Sequence, residues 1–171
     1  MARAYDSVIL GGGAAGLMCA ITAGRRGRRV LVLERSNKIG KKILMSGGGR
    51  CNFTNLHVAP DRFLSANPHF CKSALNRFTQ WDFIDRVEHH GIAYVEKQTV
   101  NGLSGQLFCE KSSKQIVEML LQECRRAGVE IRTRCETTAV SAGDGFQLSS
   151  SAGEIGSEAL VVACGGLSVP S

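Results

Sequence analysis

The chain has 171 residues, a formal net charge of +6, 43% hydrophobic residues, 20 Gly and only 3 Pro. At about 100–200 residues per domain it is one domain or part of a larger one, with enough apolar residues to bury an ordinary core, which excludes disordered, collagen-like and low-complexity classes. Its apolar runs, such as Val30–Leu33 and Ala159–Cys164, fall far short of the roughly 18 residues a membrane span needs, so no membrane partner and a cytoplasmic location are expected.

In chain order, Asp6 to Leu10 is a short apolar run that meets Gly11-Gly12-Gly13, the pattern of a buried parallel strand entering a glycine turn. Ala14 to Arg26 follows as a helix with Ala15, Leu17, Met18, Ala20, Ile21 and Ala23, closed by Gly24 and Gly27. Arg29 to Glu34 is a second buried strand, which completes a strand–helix–strand unit of the expected size. Ser36 to Pro60 has neither period and holds Gly40, Gly47, Gly48 and Gly49, so it reads as a long functional loop. Phe70 to His90 approximates one helical stripe, with Phe78 and Trp81 in the core and Gly91 at its end. Ile92 to Val95 is a short strand, and Asn101 to Phe108 is glycine-punctuated. Ser112 or Ser113 caps a helix through Arg126, ended by Gly128. Val129–Thr133, Thr137–Ser141, Gly145–Ser149 and Ala159–Ala163 are strand candidates, with Gly143-Asp144-Gly145 as a hairpin turn.

Seven scattered cysteines, odd in number and without a C-x-x-C pair, argue against a zinc site or a disulfide framework. The basic clusters Arg25-Arg26, Arg28-Arg29, Lys41-Lys42 and Arg125-Arg126 lack interleaved aromatics. They read as phosphate contacts or solvated faces, and no nucleic-acid partner is expected.

Gly11-Gly12-Gly13-Ala14-Ala15-Gly16 satisfies G-x-G-x-x-G between a strand and a helix. Gly11 makes the tight turn, Gly13 admits a pyrophosphate to the backbone, Gly16 allows close helix–strand packing, and the helix N-terminus offers free N–H groups. Glu34, eighteen residues past Gly16, stands near the expected spacing of about 20 for a ribose-binding carboxylate. Its charge repels a 2′-phosphate, so NAD or the ADP half of FAD fits better than NADP.

In the run from Gly40 to Asn55, three adjacent glycines bring backbone N–H groups near an anion or planar ring. Lys42 and Arg50 add charge there, and Ser46, Asn52 and Asn55 add neutral hydrogen bonds. A flexible surface loop is the competing reading. The stretch Leu160 to Pro170 is a buried strand ending in Gly165-Gly166, a place where backbone often passes beside a dinucleotide.

G-x-G-x-x-G with Glu34, GKKILMSGGGRCNFTN at 40–55, Gly105-Gln106-Leu107-Phe108 and ACGGLSVP at 163–170 together resemble the HI0933-like flavoproteins, the YhiN and BaiN group. The resemblance implies an α/β fold: a Rossmann-type FAD-binding domain of the glutathione-reductase type over residues 1–171, a parallel sheet with helices plus a small β-meander. It implies too that this is the N-terminal portion of a longer flavoprotein, lacking an inserted domain and the C-terminal FAD segment. The cofactor-binding residues it implies are Gly11, Gly12, Gly13, Ala14, Ala15 and Gly16 at the pyrophosphate, with Glu34 and Arg35 at the adenosine side. Lys42, Ser46, Gly47, Gly48 and Asn52 are implied for the phosphates and flavin side, and the Thr137 backbone for adenine. Ala163, Gly165 and Gly166 match the A-T-G-G segment, where Cys164 replaces the usual Thr.

The implied activity is FAD-dependent oxidoreduction, with NAD(P)H as reductant and an enone-type C=C bond in a small-molecule substrate. The alternative is a non-catalytic adenine-dinucleotide-binding module. No catalytic residue is singled out. Cys51, beside Arg50, and Cys164 are minor candidates for a redox thiol, and His89-His90 reads as favourable charge at a helix C-terminus. Self-association and weak FAD binding are expected if an open sheet edge and cleft face water.

Overall fold

The computed structural model describes residues 5–100 and 102–166. The strands are β1 (Tyr5–Leu10), β2 (Val30–Leu33), β3 (Asn52–Asn55), β4 (Tyr94–Thr99), β5 (Gly102–Cys109), β6 (Glu130–Arg132), β7 (Thr137–Gly143), β8 (Gly145–Ser150) and β9 (Gly153–Val162). The α-helices are α1 (Ala14–Arg25), α2 (Lys41–Met45), α3 (Lys72–Arg77), α4 (Gln80–His89) and α5 (Lys114–Arg126). The chain divides into two compact units, Met1–Ile43 with Val117–Ser171, and Leu44–Ile116.

The first unit holds a six-stranded sheet of order β6-β2-β1-β9-β8-β7. β6, β2, β1 and β9 run parallel, while β8 and β7 add an antiparallel meander. The long β9 belongs to both parts: Gly153–Ser157 pairs with β8, and Ser157–Val162 pairs with β1. All four residues of β2 are buried, as a parallel strand covered on both faces requires. α1 buries Gly16, Leu17, Ala20 and Ile21, one stripe at helical spacing. Burial of Leu17 and Ile21 contributes about 1.5–3 kcal/mol each. Val8, Leu31, Leu33, Cys135, Leu148 and Ile155 form a buried cluster in this unit, with Phe146 and Leu160 packed against it. Glu123 on α5 is buried and engages Arg25 and Arg126, so its charge is paired rather than stranded.

The second unit is built on a three-stranded antiparallel sheet of order β3-β5-β4. Phe53 packs edge-on against Tyr94 at 5.6 Å and beside Phe83 of α4 at 6.0 Å.

Three sequence expectations change here. The stretch expected as an unstructured loop contains α2, a 3-10 turn at Ser46–Gly49 and β3. These elements are shorter than the window over which a period shows, and glycines at positive φ divide them. The helix expected from Phe70 to His90 is two helices, because Phe78 is extended (φ −145°, ψ 102°) and Thr79 starts α4 with a capping box. The Asp82 carboxylate accepts from the Thr79 N–H at 2.7 Å, and the Thr79 hydroxyl accepts from the Asp82 N–H at 3.3 Å. That break turns Phe78 and Trp81, expected in the core, out to solvent. Third, the glycine-punctuated stretch before Cys109 is strand β5, which bends at Gly105.

Candidate functional site

In the first unit, β1 ends at Gly11, whose φ of +108° only glycine adopts without strain. A Cβ on Gly11 would collide with the carbonyl of Ala163, and one on Gly16 would collide with the carbonyl of Gly11. These two glycines therefore let strand, turn and helix approach at backbone distance. Gly13 is different: a Cβ there would meet nothing within 4 Å, so open space lies in front of the turn. Gly13 is the N-cap of α1, no side chain caps that end, and no acidic residue stands in the first turn. The exposed Ala14 and Ala15 leave the N–H groups and partial positive charge of α1 facing outward, the arrangement that receives a phosphate.

Glu34, just past β2, accepts from the Gly12 N–H and the Ser36 N–H, both at 2.8 Å. Its carboxylate thus braces the turn and presents its remaining lone pairs beside it. Arg35 is exposed. The Gly40 N–H donates to the Gly12 carbonyl at 2.9 Å and closes the turn from the other side. Gly40 and Ser36 were missed as turn-forming residues; the Ser-Asn-Lys-Ile-Gly spacing was the available signal. The Ala163 N–H donates to Leu10 at 2.8 Å, continuing the β1–β9 ladder and placing Ala163 against Gly11. Gly165 follows at φ +78°, and the Lys42 ammonium donates to the Gly166 carbonyl at 2.6 Å. Thr137 opens β7 opposite Ser150 and is half-buried. The first unit brings Gly11–Gly16, Glu34, Ala163, Lys42 and Gly166 into one hydrogen-bonded assembly. Leu167 to Pro170, expected to continue this segment, lie outside the described residues.

The second unit carries the other glycine run. Gly47, Gly48 and Gly49 all have positive φ, and the buried Cys51 follows at φ +53°. A Cβ on Gly47 would sit 2.6 Å from the Phe108 ring and 2.8 Å from the Asn52 nitrogen, whereas Gly48 and Gly49 face open space. The Ser46 carbonyl accepts from the Cys51 N–H at 3.1 Å, and the Gly49 carbonyl accepts from the Ser113 N–H at 2.8 Å. The buried Ser113 hydroxyl in turn donates to the Leu44 carbonyl at 3.0 Å. The loop is therefore fixed from below while Gly48 is exposed and Gly49 half-buried. The Asn52 amide, oriented to donate, reaches the Thr54 and Leu107 carbonyls at 3.0 and 3.2 Å, so it serves the sheet.

Cys51 is not an activated thiol: burial pushes it up, against the lowering expected from Arg50. The Arg50 guanidinium lies over the Phe108 ring instead, at 5.8 Å. Burial also drives Cys109 up to about 11, with Cys51 adding to the shift.

A parallel sheet whose first strand runs through a glycine turn into an uncapped helix, with a carboxylate closing the second strand, defines a Rossmann-type dinucleotide-binding domain. Its fold is shared with glycine oxidase and with the amino acid oxidase NikD. The chain belongs to the HI0933-like family: residues 5–171 match the HI0933-like protein Rossmann domain. It is 55% identical over 167 residues to ribosomal RNA dihydrouridine synthase of Escherichia coli, covering 97% of this chain and 40% of that protein. It is 31% identical over 163 residues to 3-dehydro-bile acid delta(4,6)-reductase of Clostridium scindens, covering 92% and 38%. The backbone is similar to that of glycine oxidase from Geobacillus kaustophilus, with a TM-score of 0.64 at 17% identity, covering 94% of this chain and 55% of that one. The chain thus spans about two-fifths of the length of the curated relatives it matches. Among the described residues no helix is long and apolar enough to cross a membrane.

Proposed function

We propose that this chain is the FAD-binding portion of an oxidoreductase that reduces a carbon–carbon double bond conjugated to a carbonyl, and that the bond is C5=C6 of uracil in ribosomal RNA. The observation that carries the reading is 55% identity, across 97% of the chain, to a ribosomal RNA dihydrouridine synthase. Uracil C5=C6 is conjugated to the C4 carbonyl, so this is the enone-type chemistry expected from the sequence, on an RNA base rather than a free small molecule. The more distant bile-acid reductase relative is named for reduction as well.

FAD, when bound, supplies the hydride chemistry, with NAD(P)H as the proposed source of electrons. The chain's own residues bind and orient. The α1 N-terminus and the open space at Gly13 suit a pyrophosphate, and the lone pairs Glu34 has left suit ribose hydroxyls. Ala14 and Ala15 leave that end unobstructed, and Gly165, Gly166 and Lys42 border the turn region on the β9 side. For Arg35 and Thr137 at the adenosine, and for Ser46, Gly47, Gly48 and Asn52 at the flavin, the assignment rests on the family resemblance.

The test is to express the full-length protein that carries this chain, record its visible spectrum, and incubate it with NADH or NADPH and unmodified ribosomal RNA. Retained flavin bands and a nucleoside heavier than uridine by two hydrogens are expected. Retained flavin with no reduced uridine leaves a dinucleotide-binding module and overturns the substrate. Absence of flavin overturns the cofactor.

A further inference from the structure

The second unit has an interior for aromatic rings, where Phe53, Phe83 and Tyr94 pack on one another. Yet between Arg62 and Trp81 it leaves four rings outside. Trp81 is 58% exposed, Phe70 55%, and Phe63 and Phe78 are exposed too, with Leu64 beside them. Every residue from Asp61 to Phe70 is exposed. Five large apolar side chains exposed within Phe63–Trp81 are more than the single scattered ones an ordinary surface carries.

Over the same stretch the chain carries Arg62, Lys72 and Arg77 and no acidic residue. Of the two acids at its borders, Asp61 lies 3.9 Å from the Arg62 guanidinium with both groups exposed, a pair that water screens, and Asp82 accepts hydrogen bonds from the Thr79 N–H and hydroxyl. Arg86 stands 5.8 Å from the Phe78 ring and adds a cation at that end. The segment is also tied at both ends. The Cys71 thiol faces the Pro60 carbonyl at 3.9 Å, which folds the loop between Phe63 and Phe70 back on itself. The Gln80 amide donates to the Leu56 carbonyl at 3.1 Å and holds the first turn of α4, with Trp81, beside the chain that enters the loop.

Interleaved cations and exposed rings are what single-stranded nucleic acid recognition uses: charge tracks the backbone, and rings stack on unpaired bases. The arginine clusters of the first unit offer charge alone, and part of it is already taken by Glu123 and Asp6. We infer that Arg62–Trp81 is a docking platform for single-stranded RNA, with Trp81, Phe70 and Phe63 stacking bases and Arg62, Lys72 and Arg77 neutralising phosphates. The inference rests on the ribosomal RNA reading above and names the surface that receives the strand. A base must leave its stack before its C5=C6 bond is reachable, and an unpaired segment held on rings is the state from which that is least costly.

Trp81 is the single tryptophan of the chain, so its emission reports on the platform directly. The experiment titrates the chain with a fluorescein-labelled oligouridine 12-mer, following Trp81 emission and oligonucleotide anisotropy together. An RNA hairpin duplex and inorganic polyphosphate serve as probes that lack unpaired bases. Saturable loss of about half the Trp81 emission is expected with the single strand, and little change with duplex or polyphosphate. The Arg62→Ala/Arg77→Ala double variant, with an unchanged circular dichroism spectrum, should bind about tenfold more weakly and lower the slope of log affinity against log salt by about 1.4. Binding seen by anisotropy with silent Trp81 and unaltered affinity in the variant overturns the platform and leaves the RNA reading standing. No binding of any RNA, by this chain or by the full-length protein that carries it, overturns both. A dimer whose Trp81 emission is already shifted to short wavelength and insensitive to RNA overturns the platform in favour of a second copy of this chain.

Discussion

Gly16 in the Rossmann unit and Gly48 in the second unit are both glycines in a three-glycine signature, yet they are glycine for different physical reasons. At Gly16 a side chain has no room, because the Gly11 carbonyl occupies the place of its Cβ. At Gly48 a side chain has open space, and only the left-handed backbone, φ +64°, disfavours one. Gly11 and Gly16 serve backbone-to-backbone approach, and Gly48 serves the handedness of an exposed turn. Glycine-rich motifs of similar appearance therefore tolerate change very differently.

The sharpest way to break that comparison is Gly16→Val. We expect a loss of about 3 kcal/mol or more in a urea titration, together with loss of flavin retention in the full-length protein. Gly48→Ala should cost about 1–2 kcal/mol, the price of a left-handed non-glycine residue. Equal losses would remove the distinction. Leu148→Ala, at a fully buried position of the meander, is expected to cost about 2–5 kcal/mol.

Glu34→Gln tests whether the brace at the turn is also a ligand. The variant keeps the shape but loses the charge and one of the two accepting oxygens, so FAD affinity of the full-length protein should fall about tenfold, and stability should fall by about 1–3 kcal/mol for the backbone N–H left facing an NH2. A fall in stability with affinity intact would make Glu34 a structural brace only.

Smaller still is Thr79→Ala, which removes the α4 cap and should cost about 1 kcal/mol at neutral pH. Hydrogen bonds from the Thr79 side chain and backbone hold the Asp82 carboxyl below its ordinary value. A depressed carboxyl stabilises the fold above the ordinary aspartate range and loses that contribution as acid protonates it. The gap between wild type and variant should accordingly narrow as the pH falls through that range. Thiol labelling at pH 8 has the least effect on the fold. Cys164, exposed, should react first, while Cys109 and Cys124, both pushed up to about 11 by burial, should wait for unfolding.

The Rossmann unit was legible because its signals are local and dense. The apolar run of β1, the glycines that follow it and Glu34 at the end of β2 each announce themselves within a few residues. The second unit was harder to read. α2 is five residues long and β3 four, too short for periodicity. The break between α3 and α4 depends on the Thr79–Asp82 box, which sits inside an apolar stripe that masks it. Nothing local in the sequence could show that Phe78 and Trp81 face water, because the stripe itself has the pattern of a core. The brace of Glu34 on Gly12 and Ser36 was invisible for another reason: the spacing that suggests a ribose ligand says nothing of what the carboxylate holds meanwhile.

The placement of β1 between β2 and β9 also sets an order of assembly. A chain leaving the ribosome presents β1 and β2 first, but the strand that completes their sheet is the last one described. While Leu44–Ile116 is being made, the pair waits with an open edge, and the intervening unit, whose sheet is formed entirely from its own strands, can mature ahead of it. The middle of the chain can thus be native before its beginning. The glycine turn at Gly11 is closed only once Ala163 lies against it, so a nucleotide that recognises the closed turn recognises a chain whose β9 is already paired with β1.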